Sequence, residues 1–309
     1  MKKTKRPGII VVTGPTASGK TRRAVELATA IGGEIVSADS RQVYRGMDIG
    51  TGKDIEEYGS VPYHLIDICP AGSKYNLYEF LRDANNAIAD ISSRGLRPIV
   101  CGGTGLYVES LLNGIELPQV PENRELRESL RGRTLEELTG ILASMKALHN
   151  TTDVDSAARA IRAIEIQTYY AAHPEAATQV SPHPVEGATV IGVSVERDER
   201  RRRISQRLQD RLKAGMADEV RSLLDSGIAP DDLIYYGLEY KFLTLYVLGR
   251  ISRAEMENSL EIAIHQFAKR QMTWFRGMER RGHHINWIDA GDPYFLTKSL
   301  KLIEENDSK

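Results

Sequence analysis

Ile9-Ile10-Val11-Val12 is an unbroken run of β-branched apolar residues, the pattern of a strand buried on both faces. Helical spacing takes over from about residue 20 to residue 31 and stops at Gly32-Gly33. Glu34-Ile35-Val36-Ser37 then predicts a second strand, ending at Ala38-Asp39-Ser40. A strand, a helix and another strand in this order make a βαβ unit on a parallel sheet. Further on, the pattern predicts a helix over 78–94 closed by Gly95, a strand at 98–101 and another at 189–195.

Between the last two strands the character changes. Residues 117–185 are rich in Glu, Arg, Leu and Ala, with helical periodicity over 124–130, 135–148 and 156–170, and proline-bearing stretches at both ends. The sheet resumes after them, so they read as a helical subdomain inserted into an α/β core. The expected division is a first core segment at 1–116, the insertion at 117–185 and a second core segment at 186–309. From Glu199 onward the chain is expected to be nearly all helical, with a frayed tail after Glu304.

Composition narrows the class. Of 309 residues 41 % are hydrophobic and 27 % charged, as in ordinary globular proteins. No apolar run nears the roughly 20 residues that span a bilayer, and the basic N-terminus lacks the apolar stretch of a secretory signal. The two cysteines, Cys69 and Cys101, are too few for a disulfide framework or a zinc site. Cytoplasmic residence is the expectation. The net charge of −1 hides local patches: four arginines at Arg200-Arg201-Arg202-Arg203, and Lys269, Arg270, Arg276, Arg280 and Arg281 further on. On charge alone the simpler reading of each is a solvated helix face.

The strongest chemical signal is Gly14-Pro15-Thr16-Ala17-Ser18-Gly19-Lys20-Thr21, which fits G-x-x-x-x-G-K-[ST] between a predicted strand and helix. Glycines let successive N–H groups turn inward onto phosphate oxygens, and the helix start adds unpaired donors and its positive dipole end. Lys20 adds a full charge, and the Thr21 hydroxyl can ligate Mg²⁺. All eight residues are therefore expected to grip a diphosphate or triphosphate. Asp39, at the carboxyl end of the second strand, can be read as a metal ligand, as a base for the nucleophile, or as a turn residue. Thr104, within Gly102-Gly103-Thr104-Gly105, either meets a ligand or belongs to a plain strand-to-helix turn. Residues 266–276 interleave basic and aromatic side chains on one helix. Lys269, Arg270 and Thr273 neighbour one another there, as do Phe267, Gln271 and Trp274, with Trp274 expected in the core.

Taken together, the chain resembles the tRNA dimethylallyltransferase family, also called tRNA isopentenyltransferases. The resemblance rests on the 14–21 loop, Asp39-Ser40-Arg41-Gln42-Val43-Tyr44 and its continuation to Thr51, and His64-Leu65-Ile66-Asp67-Ile68. It continues through residues 102–107, Arg162-Ala163-Ile164-Glu165 and the 268–276 stretch, in order along nearly the whole chain. It implies a P-loop core with an inserted helical subdomain that clasps the anticodon stem-loop of tRNA. It further implies transfer of a dimethylallyl group from dimethylallyl diphosphate, with Mg²⁺, to the exocyclic amine of the adenine 3′ of the anticodon.

On that resemblance Asp39 is the base, with Lys20 and Thr104 beside it in the catalytic set, and Thr21 holds the metal. Ser40, Arg41 and Gln42 read the extruded adenine, and Thr104 contacts it. Arg127, Arg159, Arg162, Lys269, Arg270, Gln271 and Arg276 contact tRNA. A monomer is expected, and ATP is not the expected ligand. The chain departs from the family pattern at Asp155-Ser156-Ala157-Ala158, at Gly237-Leu238-Glu239-Tyr240 and at His265, all of which concern RNA contacts more than diphosphate chemistry. The rival readings are a P-loop kinase and an isopentenyltransferase acting on free adenine nucleotides. Neither explains both the basic helix at 266–276 and the long insertion.

Overall fold

A computed structural model describes residues 8–148, 152–178 and 183–308. They form two compact units: one is the chain up to Gly114 and again from Pro184, the other is Ile115–His183. The larger unit is built on a six-stranded sheet in which every pairing is parallel. Its elements, in chain order, begin with β1 (Ile10–Thr13), α1 (Lys20–Ile31), β2 (Gly33–Ser37), β3 (Tyr44–Arg45), β4 (Tyr63–His64), β5 (Cys69–Pro70), α2 (Leu77–Ser93), β6 (Arg97–Gly102) and α3 (Gly105–Leu112). The other unit contributes α4 (Arg124–Ser129), α5 (Leu135–Met145), α6 (Ala157–Ala172) and α7 (Pro174–Thr178). The larger unit then resumes with β7 (Thr189–Ser194), α8 (Arg197–Lys213), α9 (Met216–Asp225), α10 (Pro230–Tyr236), α11 (Leu238–Val247), α12 (Arg253–Arg280), β8 (Asn286–Asp289) and α13 (Phe295–Asp307).

The sheet order is β4-β2-β6-β1-β7-β8. β1 lies between β6 and β7, and all its residues are buried, which is why its sequence shows no polar alternation. Ala24, Leu27 and Ala28 of α1 and Phe295 and Ile303 of α13 pack on Ile10, Val12, Ile35 and Ile99 of one face. Full burial of side chains such as Leu27 and Phe295 contributes roughly 1.5–3 kcal/mol each. Register matters most at the carboxyl edge: Thr13 stands level with Gly102 and Gly192, and Ser37 with Cys101. The loops leaving β1, β2 and β6 therefore emerge side by side, where open α/β sheets bind ligands.

In the smaller unit, Leu130, Leu138, Leu142, Ala160, Ala163 and Ile164 form a core of their own. Thr134 and Glu137 make a reciprocal cap at the start of α5.

Two expectations for the C-terminal region are corrected. Residues 286–289 form a sixth strand, β8, paired with β7 along Ile191–Ser194, instead of continuing the helices. Asn286-Trp287-Ile288-Asp289 has no strand pattern of its own; the open edge of β7 makes it a strand. The tail is also ordered. Arg97 grips Asp307 with two bonds of 2.8 Å, and the Asn306 amide donates to Gly187 O and Thr189 Oγ1 at 2.9 and 3.0 Å.

Candidate active site

The 14–21 loop wraps from β1 into α1 as the spacing requires. Ala17 is held at φ 61° and Gly19 at φ 80°. For Ala17 this left-handed conformation costs roughly 1 kcal/mol or more, so the loop is held in shape by its surroundings. The first amides of α1 lack carbonyl partners within the helix, as at any helix start. The Ser18 hydroxyl is fully buried and has no hydrogen-bond partner among the described residues.

Gln271 provides much of the support. It is only 7 % exposed. Its Oε1 accepts from Thr16 N at 2.8 Å, and its Nε2 donates to Gly103 O at 2.9 Å. It was expected among the RNA contacts. In the structure its amide ties the loop after β1 to the loop after β6, and it removes the Thr16 N–H from the donors open to an anion.

The glycines after β6 are explained by packing. A Cβ on Gly102 would stand 2.2 Å from Ala38 O, one on Gly103 2.5 Å from Gln271 Nε2, and one on Gly105 2.3 Å from Trp274 Cδ1. They seat α12 and the turn after β2, so no ligand is needed to account for them. Trp274 lies across Gly105, not in the core: it is 39 % exposed, with the Arg281 guanidinium 5.9 Å from its ring centre. Helix spacing placed it inward; the missing side chain at Gly105 lets the ring pack there while Arg281 lies over it.

Asp39 begins a tight turn. Its Oδ1 accepts from Arg41 N at 2.8 Å and from Gln42 N at 3.4 Å. Its other oxygen has no partner among the described residues. Thr104 accepts from Ser40 N at 3.2 Å through Oγ1, which also lies 3.5 Å from Ser40 Oγ. Thr104 therefore steadies the Asp39–Ser40 turn. Gln42 is buried, linked to Ser37 Oγ at 3.2 Å and donating to Gly52 O at 3.0 Å. Arg41 projects over the Tyr236 ring, 5.5 Å from its centre.

Lys20 runs past Gly103, where a Cβ would lie 3.5 Å from its Cε. Burial lowers its pKa, opposed by Cys101 and by the Asp39 carboxylate and assisted by Arg207 and Arg211. Lys20, Asp39 and these guanidiniums thus share one electrostatic site.

The cleft in front of the loop is lined by Ala17, Gly19, Lys20 and Thr21 on one side and by Arg202, Arg203, Gln206 and Arg207 of α8 on another. Sequence reading treated these arginines as a solvated face. Arg207 and Arg211 share the single carboxylate of Asp54, the latter at 3.4 Å, with Arg211 lying against Gly52. Burial, then Arg207, pushes the Arg211 pKa down to about 10. Arg202 and Arg203 likewise share Glu199, at 2.9 and 2.7 Å. Asp54 and Glu199 thus each serve two guanidiniums, and Glu57 and Asp210 also line the cleft. The recurrence of Arg at 203, 207 and 211 was the sequence signal, and it is ambiguous without knowing which side α8 presents.

A neighbouring layer holds the loop after β3 in place. Glu219 accepts from the backbone N–H groups of Asp48, Ile49 and Gly50 at 2.8, 2.7 and 3.1 Å, and from Tyr240 Oη at 2.6 Å. Lys53, 1 % exposed, donates to Tyr44 O at 2.6 Å and pairs with Asp48 and Asp67. This explains the 48–53 stretch structurally, and gives Tyr240 of the departing 237–240 segment a fixed role.

In the smaller unit, Arg127 holds Glu165 with two bonds of 2.9 Å, and Arg162 joins the same carboxylate while donating to Val120 O at 2.9 Å. The Glu165 side chain is 1 % exposed. Arg159 pairs with Asp155. Arg127 and Arg162, expected among the RNA contacts, thus also hold a buried carboxylate, and stripping it of a partner would cost several kcal/mol; both side chains stay partly exposed, at 35 % and 38 %. By contrast Lys269, Arg270 and Arg276 on α12 are exposed and make no ion pair among the described residues.

No group of three or more His, Cys, Asp or Glu able to hold a metal exists among the described residues. Among them, too, no helix is long and apolar enough to cross a membrane.

Comparison with known proteins agrees across sequence and fold. The profile of the IPP transferase family matches residues 42–278, and that of isopentenyl transferases matches residues 7–59. The chain is 58 % identical over 289 residues to tRNA dimethylallyltransferase 1 of Parabacteroides distasonis, covering 92 % of this chain and 93 % of that protein. It is 57 % identical over 302 residues to tRNA dimethylallyltransferase 2 of Bacteroides fragilis, covering 95 % and 98 %. The full-length tRNA isopentenylpyrophosphate transferase of Bacillus halodurans superposes with a TM-score of 0.71 at 31 % identity, over 98 % of each chain.

Proposed function

The chain belongs to the IPP transferase family, that of the tRNA-modifying prenyltransferases, and we propose that it moves a dimethylallyl group from dimethylallyl diphosphate to tRNA. The acceptor is the exocyclic amine of the adenine immediately 3′ of the anticodon, presented by the anticodon stem-loop. The observation that carries this reading is the pairing at one sheet edge: a diphosphate-shaped loop with Lys20 lies beside Asp39, whose second carboxylate oxygen is open.

The chemistry follows from those groups. The amine nitrogen bonds to the allylic carbon as the bond from that carbon to the diphosphate oxygen breaks. Diphosphate leaves with the electron pair, and the amine proton passes to the open oxygen of Asp39. An adenine amine is a weak nucleophile because its lone pair is delocalised into the ring, so orientation and proton removal both matter. Asp39 is oriented by the Arg41 and Gln42 amides, and Thr104 steadies the same turn. The α1 amides, Lys20 and the cleft arginines Arg202, Arg203 and Arg207 of α8 stabilise the growing charge on diphosphate. The base must leave its stack to reach the site, and Ser40 and Arg41, on the same turn as Asp39, would contact it there.

The residues present fit Mg²⁺. The Thr21 hydroxyl makes no hydrogen bond within the described residues, and no carboxylate cluster competes. This suits an ion held by phosphate oxygens and one or two protein oxygens. When bound, it supplies further positive charge to the diphosphate.

Incubation with radiolabelled dimethylallyl diphosphate and unmodified tRNA should place label on tRNA. Asp39→Asn should lower kcat by about 10²–10⁴-fold while tRNA affinity stays unchanged, and Lys20→Ala should abolish transfer. Label that reaches only water, or an Asp39→Asn variant with full activity, would overturn the proposal.

A further inference from the structure

The arginine run on α8 divides by its partners. Arg202, Arg203, Arg207 and Arg211 all pair with carboxylates and belong to the cleft in front of the 14–21 loop or its margin. Arg197, Arg200 and Arg201 make no ion pair among the described residues, and they turn instead into a groove against α12. Across that groove stand Lys269 and Arg276, equally unpaired, with Thr273 between them. No aspartate or glutamate lines it. Arg200 is partly buried there, and its pKa is lowered, first by that burial and then by Arg197 and Arg276.

These five cations face one another with no carboxylate among the residues that line the groove. Uncompensated, such a cluster repels itself; an anion that enters relieves both the repulsion and the lost hydration. The spacing describes the anion. Arg197, Arg200 and Arg201 share one helix face over about 6 Å, and Lys269, Thr273 and Arg276 share another over about 10 Å. Two cationic rows with a hydroxyl between them suit successive phosphates on a strand better than one isolated group. Ile204 lines both this groove and the small cavity behind Thr16 and Ala17, so the groove lies next to the 14–21 loop.

We propose that the α8–α12 groove holds the sugar–phosphate backbone of the substrate tRNA, with Arg197, Arg200 and Arg201 gripping it opposite Lys269 and Arg276. The inference rests on the tRNA-modifying reading above and adds the α8 half of the surface.

The test is the salt dependence of tRNA binding by the whole protein. The Arg200→Ala/Arg201→Ala double variant should weaken binding at 100 mM salt by ten-fold or more. The slope of log Kd against log salt should fall by about 0.7–0.9 for each phosphate that the variant no longer neutralises. KM for dimethylallyl diphosphate and kcat at saturating tRNA should stay unchanged. Lys301→Ala, a change on α13 remote from the groove, should leave the slope alone. Unchanged affinity and slope in the double variant would overturn the proposal, as would a raised KM for dimethylallyl diphosphate with normal tRNA binding, which would make the groove a diphosphate entry. If the unaltered protein bound no tRNA at any salt, the functional reading itself would fail instead. Thermal unfolding matched to that of the unaltered protein shows that the variant folds.

Discussion

Replacing Gln271 by methionine keeps the side chain's length and bulk and removes both hydrogen bonds that join the loop after β1 to the loop after β6. The Gly103 carbonyl is buried and would be left without its donor, at a cost of about 1–3 kcal/mol. Thr16 is half-exposed, so water can replace part of its missing bond, for about a further 0.5–1 kcal/mol. A total of about 1.5–4 kcal/mol corresponds to a Tm lowered by about 3–16 °C in a unit of this size. The same change loosens the segment that carries the left-handed Ala17, so the diphosphate grip should weaken with it. Differential scanning calorimetry with and without inorganic diphosphate should show both the lower Tm and a smaller ligand-induced rise. Steady-state kinetics should show a higher KM for dimethylallyl diphosphate with tRNA affinity intact. A variant with unchanged Tm and unchanged diphosphate KM but weaker tRNA binding would refute the bracing role and restore Gln271 to the RNA contacts.

Glu219→Gln removes the charge that gathers three backbone amides and Tyr240 around the 48–50 turn, and urea denaturation should show a loss of at least about 2 kcal/mol; an unchanged midpoint would show the turn stands without it. Glu34 is held down to about 2, chiefly by hydrogen bonds from Arg94 and also by His64. Its folded pKa lies below the unfolded one, so its stabilisation is complete above about pH 4.5 and disappears as pH falls towards 2. The stability gap between the native protein and Glu34→Gln, measured by urea unfolding, should therefore close across that window, and a constant gap would contradict it. Burial pushes the Cys101 thiol up to about 12, so iodoacetamide at pH 8 should leave it unmodified until the protein unfolds. Rapid labelling of Cys101 in the folded state, read by mass spectrometry, would show that the strand end is open.

Local chemistry was legible in the sequence because it is written in adjacent residues. The spacing of residues 14–21 fixes a phosphate-type loop wherever a strand feeds it into a helix. The β-branched run at 9–12 fixes a doubly buried strand, and Asp39 following Glu34-Ile35-Val36-Ser37 puts a carboxylate at the end of the next one. The insertion at 117–185 was visible as a change in composition between two sheet strands; the structure sets its compact unit at 115–183. The resemblance to tRNA dimethylallyltransferases used the same contiguous stretches.

What depended on distant partners was not legible. Gln271 acts on Thr16 across 255 positions, and Arg207 acts on Asp54 across 153. Helical spacing says that such residues share a face, but not what that face meets. Nothing local shows that Arg127 and Arg162 meet at the buried Glu165, and β8 reads as part of a helical region until the open edge of β7 recruits it. The run Arg200-Arg201-Arg202-Arg203 is the sharpest case. Its residues are identical in kind, and only tertiary pairing divides them. Glu199 takes Arg202 and Arg203, while Arg200 and Arg201 keep an unneutralised charge, and unneutralised charge is what an RNA backbone can use.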